Sequence, residues 1–155
     1  MESHRGHEHA AQSLNALAFS ATVHCLTGCA IGEVAGMALG TALGWSNGAT
    51  IVASILLAFV FGYGLTSMPL LRSGLPVRRV APLAFASDTL SIATMEIVDT
   101  LIVLVIPGAL DAGLTDPLFW GSLVIALLLA GAAAYPVNRR LIARGKGHAV
   151  IHAYQ

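Results

Sequence analysis

Four long apolar stretches divide this chain, and they constrain its fold more than any other feature. They cover Leu17–Leu43, Ala49–Met68, Val80–Ile106 and Leu118–Val137. Each has about the 20 residues that a helix needs to cross a bilayer. Only 10% of the 155 residues are charged, and the mean hydropathy of +0.77 is far above that of soluble domains. The sequence therefore predicts one all-α integral membrane four-helix bundle in contact with the lipid bilayer.

The charged residues predict the orientation of this bundle. We divide the chain into a polar, histidine-containing leader (1–15), a four-helix domain (16–138) and a basic tail (139–155). The loop Pro107–Pro117 contains two acids and no basic residue. Lys and Arg mark the cytoplasmic side, so we expect both termini to be cytoplasmic. Seven of the eight basic residues support this: Arg72, Arg78, Arg79, Arg139, Arg140, Arg144 and Lys146.

The leader carries three interspersed histidines, His4, His7 and His9. Neutral imidazole is a good ligand for transition metals, so the leader could be a metal-collecting arm. We favour the alternative, a terminal segment whose histidines have no specific role, as is common at chain termini. Because the first apolar stretch follows this polar leader and exceeds the length of a signal peptide's apolar region, we expect it to remain in the mature protein.

The first apolar stretch carries two rows of residues at four-residue spacing, which a helix places on two adjacent faces. The glycine row is Gly28, Gly32, Gly36, Gly40 and Gly44, and the other row is Cys25, Cys29, Glu33, Met37 and Thr41. A row of small residues lets another helix approach closely. We therefore expect the glycine row to pack against the third helix and to mediate a homo-oligomer.

Four acids fall within the apolar stretches: Glu33, Asp88, Glu96 and Asp99. No Lys or Arg lies within these stretches to pair with them. An isolated charge in hydrocarbon is costly, so such acids pair, bind a cation or become protonated. Protons or metal ions are therefore the predicted counter-charges.

Residues at equal depth in the first and third helices are expected to meet, since both helices enter from the same side. Depth follows from about 1.5 Å of rise per residue. The predicted contacts are Cys25 with Asp88, Cys29 with Ser91 and Met95, and Glu33 with Glu96 and Asp99.

These contacts predict a metal site between the first and third helices. Thiolate and thioether ligands suit Cu(I), and thiolate with imidazole or carboxylate also suits Zn(II). We expect Cys25, Cys29 and Met95 as ligands, with His24 as a further one at the edge of the face. The acids would add negative potential or couple protons. Two cysteines one turn apart on a rigid helix are expected to be free thiols. The role would be metal transport, transfer or homeostasis.

Two other functions stay open. The first is a membrane thiol oxidoreductase that uses Cys25 and Cys29, although nearby acids disfavour the thiolate that such an enzyme needs. The second is a structural or assembly subunit without metal, in which the cysteines only fill space. We assign no catalytic residue, favour a non-enzymatic role and expect no nucleic-acid partner.

Three segments, HCLTGCAIGE, SDTLSIATMEIVD and GLTDPLFWG, resemble a family of small prokaryotic membrane proteins known as domain of unknown function 4396. The resemblance covers roughly Thr22 to His152. It implies a helical membrane fold in a prokaryotic inner membrane. It implies no catalytic or binding residues, because the family has no assigned biochemistry.

Overall fold

The computed structural model describes the backbone of residues 2–72 and 74–144 and the side chains of residues 13–72 and 74–144. Within these ranges the chain forms helices and turns without any strand, which confirms the all-α prediction. A short 3₁₀ turn, Ala109–Asp111, lies between the last two helices. The four helices are α1 (Glu2–Leu43), α2 (Asn47–Arg72), α3 (Val77–Val105) and α4 (Pro117–Ala143).

Three of the four helices are long and apolar enough to cross a membrane: α1 over Ser13–Leu43, α2 and α4. The fourth, α3, has 29 residues but carries the acids Asp88, Glu96 and Asp99, which lower its apolar character. These acids are all buried inside the bundle. The outer face of α3 is apolar, as the exposed side chains of Phe85 and Ile97 illustrate.

Three helices extend beyond the apolar stretches of the sequence. Helix α1 begins at Glu2, so the leader continues as helix into the first apolar stretch. The side chains of its three histidines lie outside the described residues. Helix α2 continues past Pro69 to Arg72. Helix α4 extends to Ala143, so the basic tail starts as helix, and Lys146 lies outside the described residues.

Helix α1 ends at a glycine turn. Gly44 has φ +65°, a conformation that glycine adopts without strain. The amide of Trp45 donates to the carbonyl of Gly40 over 2.9 Å, which closes the helix end. Gly44 therefore belongs to the turn into α2 and not to the packing row.

The bundle has a ring of neighbours, in which α1 packs on α2 and α4, and α3 also packs on α2 and α4. Helices α1 and α3 face each other across the centre, with less direct contact. The central core draws on all four helices and consists of Cys25, Cys29, Ala58, Ile92, Met95, Ala130 and Ala134.

The glycine row packs against α2, which corrects the predicted partner. A methyl group on Gly28 would lie 2.8 Å from the Cα of Gly62, and one on Gly32 would overlap the backbone of Ala58. This face is thus covered by the same chain, and it is not the homo-oligomer interface that we predicted.

A polar side-chain contact joins neighbouring elements at each end of the bundle. At one end, Arg139 Nε donates to Asn15 Oδ1 over 2.8 Å. At the other, Asn47 Nδ2 in the first turn of α2 donates to Asp111 Oδ1 over 2.9 Å, which joins the α1–α2 turn to the α3–α4 loop. The second end is called the loop end below.

Candidate functional site

A sulfur pair lies at the centre of the bundle. The thiol of Cys29 on α1 faces the thioether of Met95 on α3, and their sulfur atoms are 4.0 Å apart. Cys29 is 1% exposed and Met95 is completely buried. The predicted contact between these two residues is therefore confirmed.

One turn away towards the chain termini, Cys25 faces Asp88 and Ser91 of α3. Both cysteines are buried free thiols, as predicted. The hydroxyl oxygen of Ser91 makes no hydrogen bond with any described residue. Polar groups thus continue from the sulfur pair along the α1–α3 interface.

One turn away in the other direction, three carboxyl groups come together, again as predicted. Glu33 and Asp99 lie within hydrogen-bonding reach of each other. Glu96 lies beside both of them and also reaches the thiol of Cys29. Glu96 and Asp99 are each 5% exposed. No donor among the described residues reaches Glu96 Oε1 or Asp99 Oδ1.

The imidazole of His24 contacts helix α2. Its Nε2 is 2.9 Å from Thr66 Oγ1, and Thr66 in turn lies beside Asp88. The hydroxyl of Ser87 donates to Asp88 Oδ1 over 2.9 Å. His24 thus belongs to a hydrogen-bonded group around Asp88, at the predicted edge of the polar face.

A cavity of about 340 Å³ extends from the loop end to the carboxyl groups. Trp45, Asn47 and Asp111 lie around its outer part, and Glu33, Glu96 and Asp99 lie at its inner end. About ten residues of α1 separate these levels, or roughly 15 Å of helix. No Lys, Arg or His is among the described residues that line it.

The structure does not gather the predicted ligands into a conventional metal centre. Among the described residues, no three His, Cys, Asp or Glu side chains converge on a common ion position. Met37, in the same row as the cysteines, lines the cavity instead of joining the sulfur pair. The arrangement provides two sulfur atoms in contact, with a third one turn away and carboxyl groups on both sides.

Sequence reasoning missed the polar contributions of α2 and α4. Thr66 bonds to His24, and Asn138 Nδ2 donates to Thr22 Oγ1 over 3.0 Å in a buried contact. Both lie near the end of apolar stretches, where a single polar residue is easily assigned to the membrane surface. Their spacing from other polar residues gave no signal of a shared face.

The fold and its buried polar interior define a helical protein of the membrane class. A family model described as Domain of unknown function (DUF4396) matches residues 15–147. The chain belongs to this family, which confirms the resemblance. No curated protein and no solved structure matches the chain.

Proposed function

We propose that this protein binds Cu(I) inside a four-span membrane bundle, between α1 and α3, for transport, transfer or homeostasis of the metal. The observation that carries the proposal is the buried contact of 4.0 Å between the sulfur atoms of Cys29 and Met95. Consider two sulfur atoms that bind the same ion, each at about 2.3 Å, which is the length of a zinc–thiolate bond. These atoms are about 4.0 Å apart when the sulfur–metal–sulfur angle is near 120°. The pair is therefore already spaced for one ion.

The chemistry of this pair favours Cu(I) over Zn(II). Thiolate and thioether are soft ligands, and Cu(I) accepts two or three of them. A structural zinc site needs four ligands in a tetrahedron, and no such group of His, Cys, Asp and Glu occurs among the described residues. Cys25 is the available third sulfur ligand. His24, held by Thr66, is a weaker candidate than it was from the sequence.

The acids complete the site electrostatically. Glu96 reaches the Cys29 thiol, and Asp88 lies beside Cys25. A carboxylate next to each thiol can accept the proton that metal binding displaces. Glu33 and Asp99 extend this group towards the cavity.

The proposal includes the orientation of the bundle. The acids of α3 face inward and its apolar side chains face outward, so α3 can cross the bilayer with the other three helices. The arginines at the ends of α2, α3 and α4 favour cytoplasmic termini. The family resemblance favours a prokaryotic inner membrane.

Copper binding by detergent-purified protein tests the proposal. Cu(I) would be supplied anaerobically in competition with a chromogenic chelator, and bound metal measured by elemental analysis. We expect one copper per chain in the wild type and none in the double variant Cys25→Ser, Cys29→Ser. Met95→Leu should weaken binding at least tenfold, whereas Met68→Leu, which alters an exposed methionine of α2, should not.

Absence of copper from the wild type under these conditions would overturn the proposal. Zinc binding that depends on the same cysteines would mean that the metal of the proposed site is Zn(II) and not Cu(I). Normal assembly with a partner protein by the double cysteine variant would favour the structural subunit. Flux into liposomes then separates transport from storage or transfer.

A further inference from the structure

The row of α1 that contains the cysteines also forms one wall of the cavity at the loop end. Thr41, Met37 and Glu33 line this cavity in succession, and Cys29 lies one helical turn beyond Glu33. Residues four apart in a helix are separated by about 6 Å along its axis. The row therefore leads in one-turn steps from the loop end to the sulfur pair.

The side chains along this cavity suit a soft cation. Asp111 is exposed at the outer part, and half-buried Glu33 lies at the inner end. No Lys, Arg or His is among the described lining residues, and clefts lined by negative charge concentrate cations. The half-buried Met37 lies between these two acids along α1, and its thioether is a ligand that Cu(I) prefers.

The opposite end of the bundle is closed by side-chain packing. Towards the chain termini, Ala18 and Ala21 of α1 are buried against Ile142 of α4. Leu70 of α2 and Val80 of α3 are likewise buried in contact with each other. These apolar side chains offer an ion no ligands, so the loop end is the more favourable side for access.

We propose that Cu(I) reaches the sulfur pair from the loop end through this cavity, and that the thioether of Met37 binds the ion on the way. The inference rests on the proposed copper site. Glu33 and Glu96 line the cavity and also lie beside Cys29, so they connect the two. A single thioether holds Cu(I) less tightly than the Cys29–Met95 pair, so the ion passes on from Met37. In the proposed orientation, this route opens on the side of the membrane opposite the cytoplasm.

Thiol labelling tests whether the cavity admits a cation, and it does not depend on copper. In the double variant Cys25→Ser, Cys29→Ser, one new cysteine would replace either Thr100, which lines the cavity, or its neighbour Leu101, which is exposed on the outer face of α3. The protein in lipid nanodiscs would be treated with a methanethiosulfonate reagent that carries a quaternary ammonium group. We expect at least tenfold faster modification of Thr100→Cys, because a charged reagent does not enter hydrocarbon.

The rate of copper loading tests the route itself. Transfer of Cu(I) from a chromogenic chelator to detergent-purified protein would be followed by stopped-flow absorbance. Thr100→Trp places an indole in the cavity and should slow loading at least tenfold, whereas Leu101→Trp, its matched control on the lipid face, should not. Met37→Leu should slow loading at least threefold. The equilibrium affinity should stay within twofold of wild type, because the sulfur pair is unaltered, and circular dichroism would confirm that each variant is folded.

Unchanged loading rates in Thr100→Trp and Met37→Leu, together with normal copper affinity, would overturn this inference and leave the proposed copper site standing. Equal modification of Thr100→Cys and Leu101→Cys would also overturn it, since the cavity would not admit a cation. A loss of affinity in Met37→Leu as large as that in Met95→Leu would make Met37 a ligand of the final site and would overturn its role on the route. Absence of copper binding by the wild type would overturn both proposals.

Discussion

Two adjacent faces of α1 make different kinds of contact in the bundle. Its glycine face packs against the backbone of α2 at Gly62 and Ala58, and it leaves no room for even a methyl group. Its other face presents Cys25, Cys29 and Glu33 to α3 across the centre of the bundle. The contact with α2 brings the helix backbones close together, and the contact with α3 is looser and contains sulfur and carboxyl groups.

This difference shows how one helix can combine stability with a site. The glycine face fixes the position of α1 through close van der Waals packing. The polar face contains carboxyl oxygens without donors, and such groups are costly in a buried environment. Substitutions on the glycine face should therefore lower stability, whereas those on the polar face should change binding and can raise stability.

The largest expected effect follows from filling the glycine face. Gly32→Leu would place a side chain in the backbone of Ala58, and it should lower the free energy of unfolding by about 3 kcal/mol or prevent folding. Gly64→Leu is the matched control, because a Cβ atom there meets no atom within 4 Å. SDS titration followed by circular dichroism measures both. Equal tolerance of the two changes would contradict the close α1–α2 contact.

The next-largest expected effect is an increase in the free energy of unfolding, and it concerns the polar face. Glu96→Gln should raise the free energy of unfolding by about 1–2 kcal/mol, since an amide supplies donors to the neighbouring carboxyl groups and removes a buried acid. The same titration measures it. Asp111→Asn alters an exposed carboxylate and should change stability by less than about 0.5 kcal/mol. A loss of stability in Glu96→Gln would show that this acid is structural.

Copper binding should depend on pH. Each thiol that binds copper loses a proton, so the affinity should fall by up to about tenfold per unit as the pH decreases, or about 1.4 kcal/mol. Chelator competition at several pH values between about 8 and 5 measures the slope. An affinity that stays constant over this range would argue against direct ligation by the cysteines.

The smallest effect concerns the hydrogen bond between His24 and Thr66. Thr66→Val keeps the shape of the side chain and removes the hydroxyl, which should cost about 1 kcal/mol of stability. Thr94→Val is the control, because the Thr94 hydroxyl donates only to the Leu90 carbonyl of its own helix. Copper affinity should be unchanged in Thr66→Val. A large loss of copper affinity in Thr66→Val would indicate that His24 is a copper ligand.

Much of the site was predictable because α1 and α3 run in the same direction. When two helices start from the same side, a constant rise per residue places equal depths opposite each other. Cys29 therefore meets Met95, and Glu33 meets Asp99, as the sequence predicts. The contributions of Thr66 and Asn138 were not predictable, since each is a single polar residue whose partner lies on another helix.

The sequence by itself determined the class of protein, the four helices and the grouping of buried acids with sulfur. Apolar length, helical periodicity and the absence of basic residues within the apolar stretches are local properties of the chain. Only the tertiary structure decided that the glycine row contacts α2 and not α3 or a second copy. The rotation of a helix about its axis depends on the shapes of all its neighbours, which no single helix encodes. The cavity is likewise a property of the assembled bundle, because it is the space that the four packed helices leave unfilled.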